Sequence, residues 1–486
     1  MTKRILPIFI LLPLIVLYSC ISSENNKISS LLKFKNIEWV DSVGARVFPN
    51  KGKVYNVNDF GAVGDGITMN TEAIQKAINI CSENGGGKVV FSNGKYLTGS
   101  IYIKSGVNLF IDENITITGS QNIIDYPEID TRIAGIEMKW PSALINIIGV
   151  KNAAITGKGK INAQGKPFWD LYWKMRREVY EPKGLRWVVD YDCKRPRTLL
   201  ISNCKDISVR NITLAQAGFW TVHILYSSFV TIDGIIIRNN EGGHGPSTDG
   251  IDIDSSEKIL VQNCDIDCND DNFCLKSGRD ADGLRVNIPT RFVVIKDCIS
   301  RKGGGLITFG SETSGGISDI VSMNLKAYGT TSGIRLKSAK TRGGTVQNLY
   351  FQNLEMDSVG FPFIVNLSWN PKYSYSSLPD GFNYDSIPDH WKVLLKNVEP
   401  ESKGIPFFKN IYVEGLKSKN AETGINAQGM KVSLLQNFNF ENIEITAKKP
   451  GTVRYADVWN LKNVNIITDS DKEVKIIESS HVNWIE

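Results

Sequence analysis

Apolar and polar residues alternate with a period of two through the middle of the chain, in short runs such as ISVRNITL, VTIDGIII, ILVQNCDI, VVIKDCIS, IVSMNLKA and LYFQNLEM. Each run carries Asn, Asp or Gly at the same place: Asn211, Gly234, Asn263, Asp297, Asn324 and Asn353. These positions recur at intervals of 23, 29, 34, 27 and 29 residues, the length of one solenoid coil. The pattern predicts half-buried strands, each closed by a bend where a side-chain amide or a missing Cβ eases a left-handed backbone. Strands this short cannot bury a face alone. Stacked in parallel they can, with Val, Ile and Leu inside and Asn at the corners. No long amphipathic helices alternate with the strands, which argues against a doubly wound α/β sheet. The repeat resumes at KNIYVEGL, NFNFENIEI and LKNVNII, so the all-β solenoid is expected to run nearly to the C-terminus.

One helix interrupts this pattern near the start. Thr71 is expected as N-cap of EAIQKAINICSENGGG, whose Ala73, Ile74, Ala77, Ile78 and Cys81 form an apolar face and whose Gly85 to Gly87 end it. Such a helix would cover the open end of a solenoid core. Earlier still, Lys3 and Arg4 precede an apolar run from Ile5 to Leu17 and then Tyr18-Ser19-Cys20, the layout of a secretory signal. The run is short for a membrane span. Cys20 resembles the lipid-modified cysteine of bacterial lipoproteins, with Tyr18 where a smaller residue is more usual. The expected organisation is a signal at 1–20, a tether and lead-in at 21–50, and one β-helix at 51–486 with loop insertions near 166–197 and 360–406.

Composition narrows the function. A formal net charge of +5 over 486 residues leaves no nucleic-acid footprint. Besides Cys20 there are seven cysteines, an odd number in an exported chain, which argues against a complete disulfide framework. No histidine lies among Cys264, Cys268 and Cys274 and no C-x-x-C pair occurs, so they read as buried packing residues rather than a zinc site.

Chemistry concentrates between Gly242 and Glu312, in GGHGPSTDGIDIDSS, CNDDNFCLKSGRDADG and RKGGGLITFGSETSGG. Asp270 and Asp271 follow Asp249 by 21 and 22 residues, close to one coil, so the three carboxyls can crowd on one face. Crowding raises the pKa of at least one of them. Glycoside hydrolysis needs that combination of a protonated acid and an ionised base. Turn aspartates or a calcium site are the competing readings. Arg335 and Lys337 flank Leu336, so both basic side chains point to one side of a strand while Leu336 faces the core.

In this order the motifs resemble the polygalacturonases, glycoside hydrolase family 28. STDGID is similar to the family's NTDG-x-D, NDDNFCLKSG to its DD segment, and GIRLKSAKTRGG to its R-I-K segment; NDFGAVGDGITMNT with the helix after it resembles the start of pectate-lyase-like β-helix proteins. The resemblance, to an exported pectin-degrading member of Bacteroidetes type, runs from about Val54 to the C-terminal repeats. It implies a right-handed parallel β-helix and an inverting hydrolase of α-galacturonosyl linkages. Asp270 would be the general acid, with Asp249 and Asp271 activating water. Arg335 and Lys337 would hold the uronate carboxylate, and His244, Lys276 and Glu312 complete the candidate substrate-binding set. No metal or organic cofactor is expected, and the partner expected is a pectic polysaccharide or oligogalacturonide, with the membrane met only through Cys20. The protein is expected to be a monomer in the periplasm or cell envelope.

Two departures from the family pattern stand out. Gly303-Gly304-Gly305 replaces its G-H-G segment, so the usual histidine is absent, and Ser247 replaces Asn. His244, five residues before Asp249, is the histidine nearest the motif in sequence. Trp169, Tyr172, Trp173 and Trp187 in the first insertion, and Trp369, Tyr373, Tyr375 and Trp391 in the second, are candidates for stacking on sugars. Rhamnogalacturonan hydrolysis, exo removal of galacturonate, a β-helix polysaccharide lyase and an inactive glycan-binding protein stay open at this point.

Overall fold

The computed structural model describes residues 27–49, 52–469 and 473–485. The expected signal at 1–20 and Cys20 lie outside them. The solenoid strands join one continuous parallel sheet wound into a β-helix, right-handed as crossovers between parallel strands are. On one face, the strands Leu199–Ser202, Val222–Leu225, Ile251–Asp254, Phe273–Lys276, Gly305–Phe309, Ser332–Lys337 and Phe361–Asn366 stack coil on coil.

The period-two pattern makes this face two-sided. Inward positions form a buried column in which Ile253 pairs with Leu275, Leu275 with Phe309, Phe309 with Leu336 and Leu336 with Val365. The alternate positions point outward and are polar: Asp252 lies beside Cys274, Cys274 beside Thr308, and Thr308 beside Arg335. A slip of one residue would exchange the two columns. Burying the core therefore fixes which charged groups line the outer surface.

At the corners the six predicted bend residues all adopt positive φ, between 55° and 65°. Their amides form ladders: Asn353 Nδ2 donates to Asn324 Oδ1, and Asn324 Nδ2 to Asp297 Oδ1, both at 2.8 Å. The N-terminal helix, Thr71–Glu83, buries Ile74, Ala77, Ile78 and Cys81 against the end of the core, as its pattern predicts. Its cap differs from expectation. Asn70 precedes the helix and Thr71 is its first residue; the Thr71 hydroxyl instead accepts from the Gly99 amide at 2.8 Å, tying the helix to the sheet.

Besides the short helix Asp280–Val286, three insertions leave the solenoid among the described residues. An antiparallel hairpin, Glu128–Ile133 with Ile136–Pro141, is the first, which the repeat pattern did not reveal. The second, across 166–197, folds as the helix Lys166–Lys174, continued by a wider π-helical stretch Met175–Tyr180, then turns and the short helix Val189–Asp192. The third begins later than expected. Residues 361–366, assigned from sequence to the loop near 360–406, form a solenoid strand paired with Ser332–Lys337, because Phe363 and Val365 belong to the core column. In the segment expected as tether and lead-in, residues 27–49 run along the outside of a second face, where Ile37 and Val40 pack on Val294 and Val321. No helix among the described residues is long and apolar enough to cross a membrane.

The corner ladder yields a stability prediction. Asn324→Ala loses two hydrogen bonds and keeps a Cβ in a left-handed backbone without the polar side chain that eases it, a cost of about 2 kcal/mol; Asn324→Gly loses the same bonds but removes the Cβ, and should cost about 1 kcal/mol. Urea unfolding midpoints of the two variants check this. Equal losses would show that backbone conformation at the corner does not matter.

Candidate active site

Asp249 and Asp271 occupy matching places on adjacent coils, just before the strands Ile251–Asp254 and Phe273–Lys276; the Gly250 amide donates to the Asp271 carbonyl at 2.9 Å. Carboxyl oxygens of Asp249 and Asp271 lie within 4.8 Å of each other. Asp271 is wholly buried. It accepts from Lys337 Nζ at 2.7 Å, Thr308 Oγ1 at 2.7 Å and Arg335 Nη1 at 3.1 Å. Asp270 is half-buried, and its Oδ1 accepts from the Asp271 amide at 3.0 Å. With Asp249, Lys276, Glu312, Arg335 and Lys337, Asp270 lines one cavity of about 270 Å³.

This arrangement drives the three carboxyls apart in acidity. Burial and the neighbouring Asp271 charge push Asp270 above the usual carboxylate range, against the pull of Lys337 and Arg335. Burial, Asp252 and Asp270 push Asp249 well up. For Asp271, burial acts upward too, but Lys337 and Arg335 outweigh it and hold the group well below its ordinary value. One coil thus carries two adjacent carboxyls shifted in opposite directions, Asp270 toward its protonated form and Asp271 toward its ionised form.

Lys276 occupies the centre of a second cluster. Its Nζ lies 3.4 Å from Glu312, 3.6 Å from Asp252 and 3.9 Å from Asp249, and over the ring of Trp220 at 4.8 Å. Glu312 is held below its usual value: burial opposes this, and Lys276, Arg342 and Lys337 outweigh the burial. Asp252 has no hydrogen-bond partner at either oxygen, and burial pushes it well up. Sequence reasoning passed over Asp252 and Asp254, although the alternation in GIDID already aims both at the same side as the charged column.

Other functional candidates arrive from the insertions, where no repeat marks them. Arg186 and Asp190 line the cavity from the second insertion, and Trp369 and Tyr373 from the third. Lys337 Nζ lies 4.5 Å from the Trp369 ring centre. Behind the cavity, Arg132 of the hairpin pairs with Asp254 at 2.9 Å, and Arg197 donates to His223 Nδ1 at 2.8 Å. Burial pushes His223 down to about 4, so the imidazole is neutral at pH 7 and can accept that bond.

Several expected residues fall elsewhere. His244 is exposed and outside the cavity, stacked on Trp173 with ring centres 5.5 Å apart and bonded to Asn269 at 2.7 Å. It does not fill the place of the family's histidine. That place is already occupied: a Cβ on Gly304 would sit 3.0 Å from Asp271 Oδ1 and 3.1 Å from Arg335 Nη1. Trp169, Tyr172, Trp187 and Trp391 are buried packing groups. The seven cysteines are buried and unpaired. Asp249, Asp271 and Cys274 are close enough together to share an ion. Lys337 and Arg335 already neutralise Asp271, however, and burial keeps the Cys274 thiol protonated, so this donor set is poorly suited to a cation.

A parallel β-helix with unlike carboxyls in an open cavity is a scaffold for carbohydrate hydrolysis, and comparison places it more narrowly. The model of the family Glycosyl hydrolases family 28 matches residues 81–376. A Vitis vinifera protein named "Probable polygalacturonase" is 33% identical over 72% of this chain and 70% of its own length. The exo-poly-alpha-D-galacturonosidase of Dickeya chrysanthemi is 24% identical over 82% and 69%. Among solved structures, the exopolygalacturonase of Thermotoga maritima shares the fold with a TM-score of 0.68 at 24% identity, covering 90% of this chain and 94% of its own. The chain belongs to glycosyl hydrolases family 28 and is a glycoside hydrolase.

Removing the central cation tests the charge balance. In Lys276→Met, Glu312 loses a cation that holds its pKa down, and stability from a depressed carboxylate exists only above its unfolded pKa of about 4.3. Loss of Lys276 also raises Asp249 and Asp252 further, a destabilisation that likewise grows as pH climbs past about 4. The melting temperature of the variant should therefore trail wild type more at pH 7 than at pH 4. A gap independent of pH would mean that Lys276 contributes packing rather than charge.

Proposed function

We propose that the protein hydrolyses α-galacturonosyl linkages of pectic polysaccharide with inversion. Asp270 protonates the leaving oxygen, and Asp249 and Asp271 position and activate water. The observation that carries this reading is the split between adjacent aspartates: Asp270 is raised and open to the cavity, Asp271 is depressed and buried against Lys337 and Arg335. Inverting hydrolysis asks for that pairing of acid and base. Relatives named polygalacturonase and exo-poly-alpha-D-galacturonosidase support the choice of galacturonide.

Arg335 and Lys337 border the cavity beside Trp369 and, while holding Asp271, present cationic edges to an incoming uronate. A planar guanidinium and a point-charge ammonium suit a carboxylate. Lys276 and Glu312 position the sugar hydroxyls. Export with a lipid on Cys20 belongs to the same proposal and rests on the N-terminal sequence.

Removal of galacturonate from a chain end, rather than internal cleavage, is favoured by a clasp between the second and third insertions. They leave the solenoid on opposite sides of the catalytic coils and meet: Trp187 Nε1 donates to the Ser377 carbonyl at 3.0 Å, Trp187 packs edge-on against Trp391 at 5.5 Å, and Trp391 Nε1 donates to Asp192 at 2.9 Å. That contact joins the two insertions whose Arg186, Asp190, Trp369 and Tyr373 line the cavity, and a long polymer threading between them would have to open it.

One digestion tests both parts. Proton NMR during hydrolysis of oligogalacturonides should show the β-anomer first, with monogalacturonate accumulating from the earliest times, and Asp270→Asn should lose roughly two to four orders of magnitude in rate. First-formed α-anomer, or an unsaturated uronide, would overturn the mechanism. Early release of long internal fragments would overturn end-directed action alone.

A further inference from the structure

Arg186 is a cationic group lining the cavity that the proposed chemistry leaves unused. It reaches the cavity from the insertion that joins the solenoid at Leu199–Ser202, whereas Arg335 and Lys337 come from the strand Ser332–Lys337. The coils bearing Asp249 and Asp270 lie between these two strands in the stack. The reacting carboxyls thus share their cavity with cations supplied by chain segments rooted on either side of them in the stack.

The guanidinium is held by one end. Arg186 Nη1 donates to Asp190 Oδ2 at 2.6 Å, four residues along the chain, and its Cζ lies 5.2 Å from the Tyr373 ring centre. Asp190 is otherwise occupied: Ser247 Oγ donates to it at 3.1 Å, and the wholly buried Arg195 lies 3.5 Å away. Two arginines against one aspartate leave a net positive charge. Among the described residues, no other hydrogen-bond partner meets Arg186, so its remaining N–H groups face the cavity. Ser247 stands where the family motif has Asn, two residues before Asp249, and its contact with Asp190 ties this arginine to the catalytic turn. A fork anchored at one prong and open at the other matches a carboxylate.

We infer that Arg186 is a specificity-determining residue that binds the carboxylate of one sugar at the scissile bond while Arg335 and Lys337 bind that of the other. The substrate then carries a uronate on both sides of the cleaved linkage, as a homogalacturonan backbone does and an alternating rhamnose–uronate backbone does not. This inference rests on the proposed galacturonide hydrolysis.

Three disaccharides separate the possibilities: digalacturonate, and its two mono-methyl esters with the ester on either ring. Wild type should show a higher KM for each ester than for the free acid. Arg186→Gln should raise KM roughly tenfold or more for the free acid and one ester, and leave unchanged the ester that lacks the carboxylate Arg186 reads. Arg335→Gln with Lys337→Met should lower kcat on all three substrates, because these residues also hold Asp271, while showing the mirror pattern in KM. Arg186→Lys keeps an ion pair to Asp190 but not the open fork, so it should melt near wild type while showing the Arg186→Gln selectivity in weaker form; it decides the matter if the glutamine variant does not fold. Equal KM increases on all three substrates, or loss against the same ester as the double variant, would overturn the inference and leave Arg186 as a strut of the clasp. Wild type that cleaves none of the three would overturn the galacturonide reading itself, a different failure from a wild type that cleaves all three without regard to Arg186.

Discussion

Lys337 and Asp271 meet at 2.7 Å where neither side chain has more than a sliver of contact with water, and the polarity of the site follows from that contact. Parallel stacking creates the need for it. Coils about 4.8 Å apart bring outward-facing residues on successive strands directly together, so carboxyls on adjacent coils cannot avoid one another. Burying ionised carboxylates that close together is costly, so the group in direct contact with cations is shifted toward its ionised form and its neighbours away from it. Arg335, one coil beyond Thr308 and two beyond Cys274 in the same outward column, and Lys337, two residues further along the same strand, hold Asp271 as the ionised member. Asp270, adjacent in sequence but open to the cavity, is shifted the other way, toward its protonated form.

The same stacking explains why the insertions matter. A bare solenoid offers a shallow, open face, whereas the second and third insertions meet over the catalytic coils through Trp187, Trp391 and Asp192, and the hairpin contributes Arg132 to the buried Asp254. Enclosure excludes water, and exclusion of water gives each charge in the cavity its leverage on its neighbours. The scaffold places the carboxyls; the loops make their environment.

Much of this was legible in the chain. The bend residues from Asn211 to Asn353 predicted the coils because one left-handed corner per coil imposes one residue type, and Arg335 and Lys337 were readable because period-two geometry sends both outward when Leu336 goes in. Where the logic is tertiary it failed. In residues 361–366, FPFIVN opens a Pro-rich stretch that reads as loop, yet register with Ser332–Lys337 makes it a strand. Nearness in sequence singled out His244, which folds outward onto Trp173, and it gave no reason to notice Arg186 and Asp190, which lie far from the motifs along the chain. Asp252 could have been found from the GIDID alternation alone, since nothing else sends a carboxyl outward between two core isoleucines.

The central claim is that Lys337 sets the ionisation of the aspartates, and the pH dependence of kcat/KM in Lys337→Met against wild type tests it most directly. Removing the cation raises the pKa of Asp271, so the acidic limb should move to higher pH; it also raises Asp270, so the alkaline limb should move the same way. A profile displaced upward on both limbs is the predicted result. A profile lowered in height but unmoved in pH, or displaced toward acid, would contradict the account.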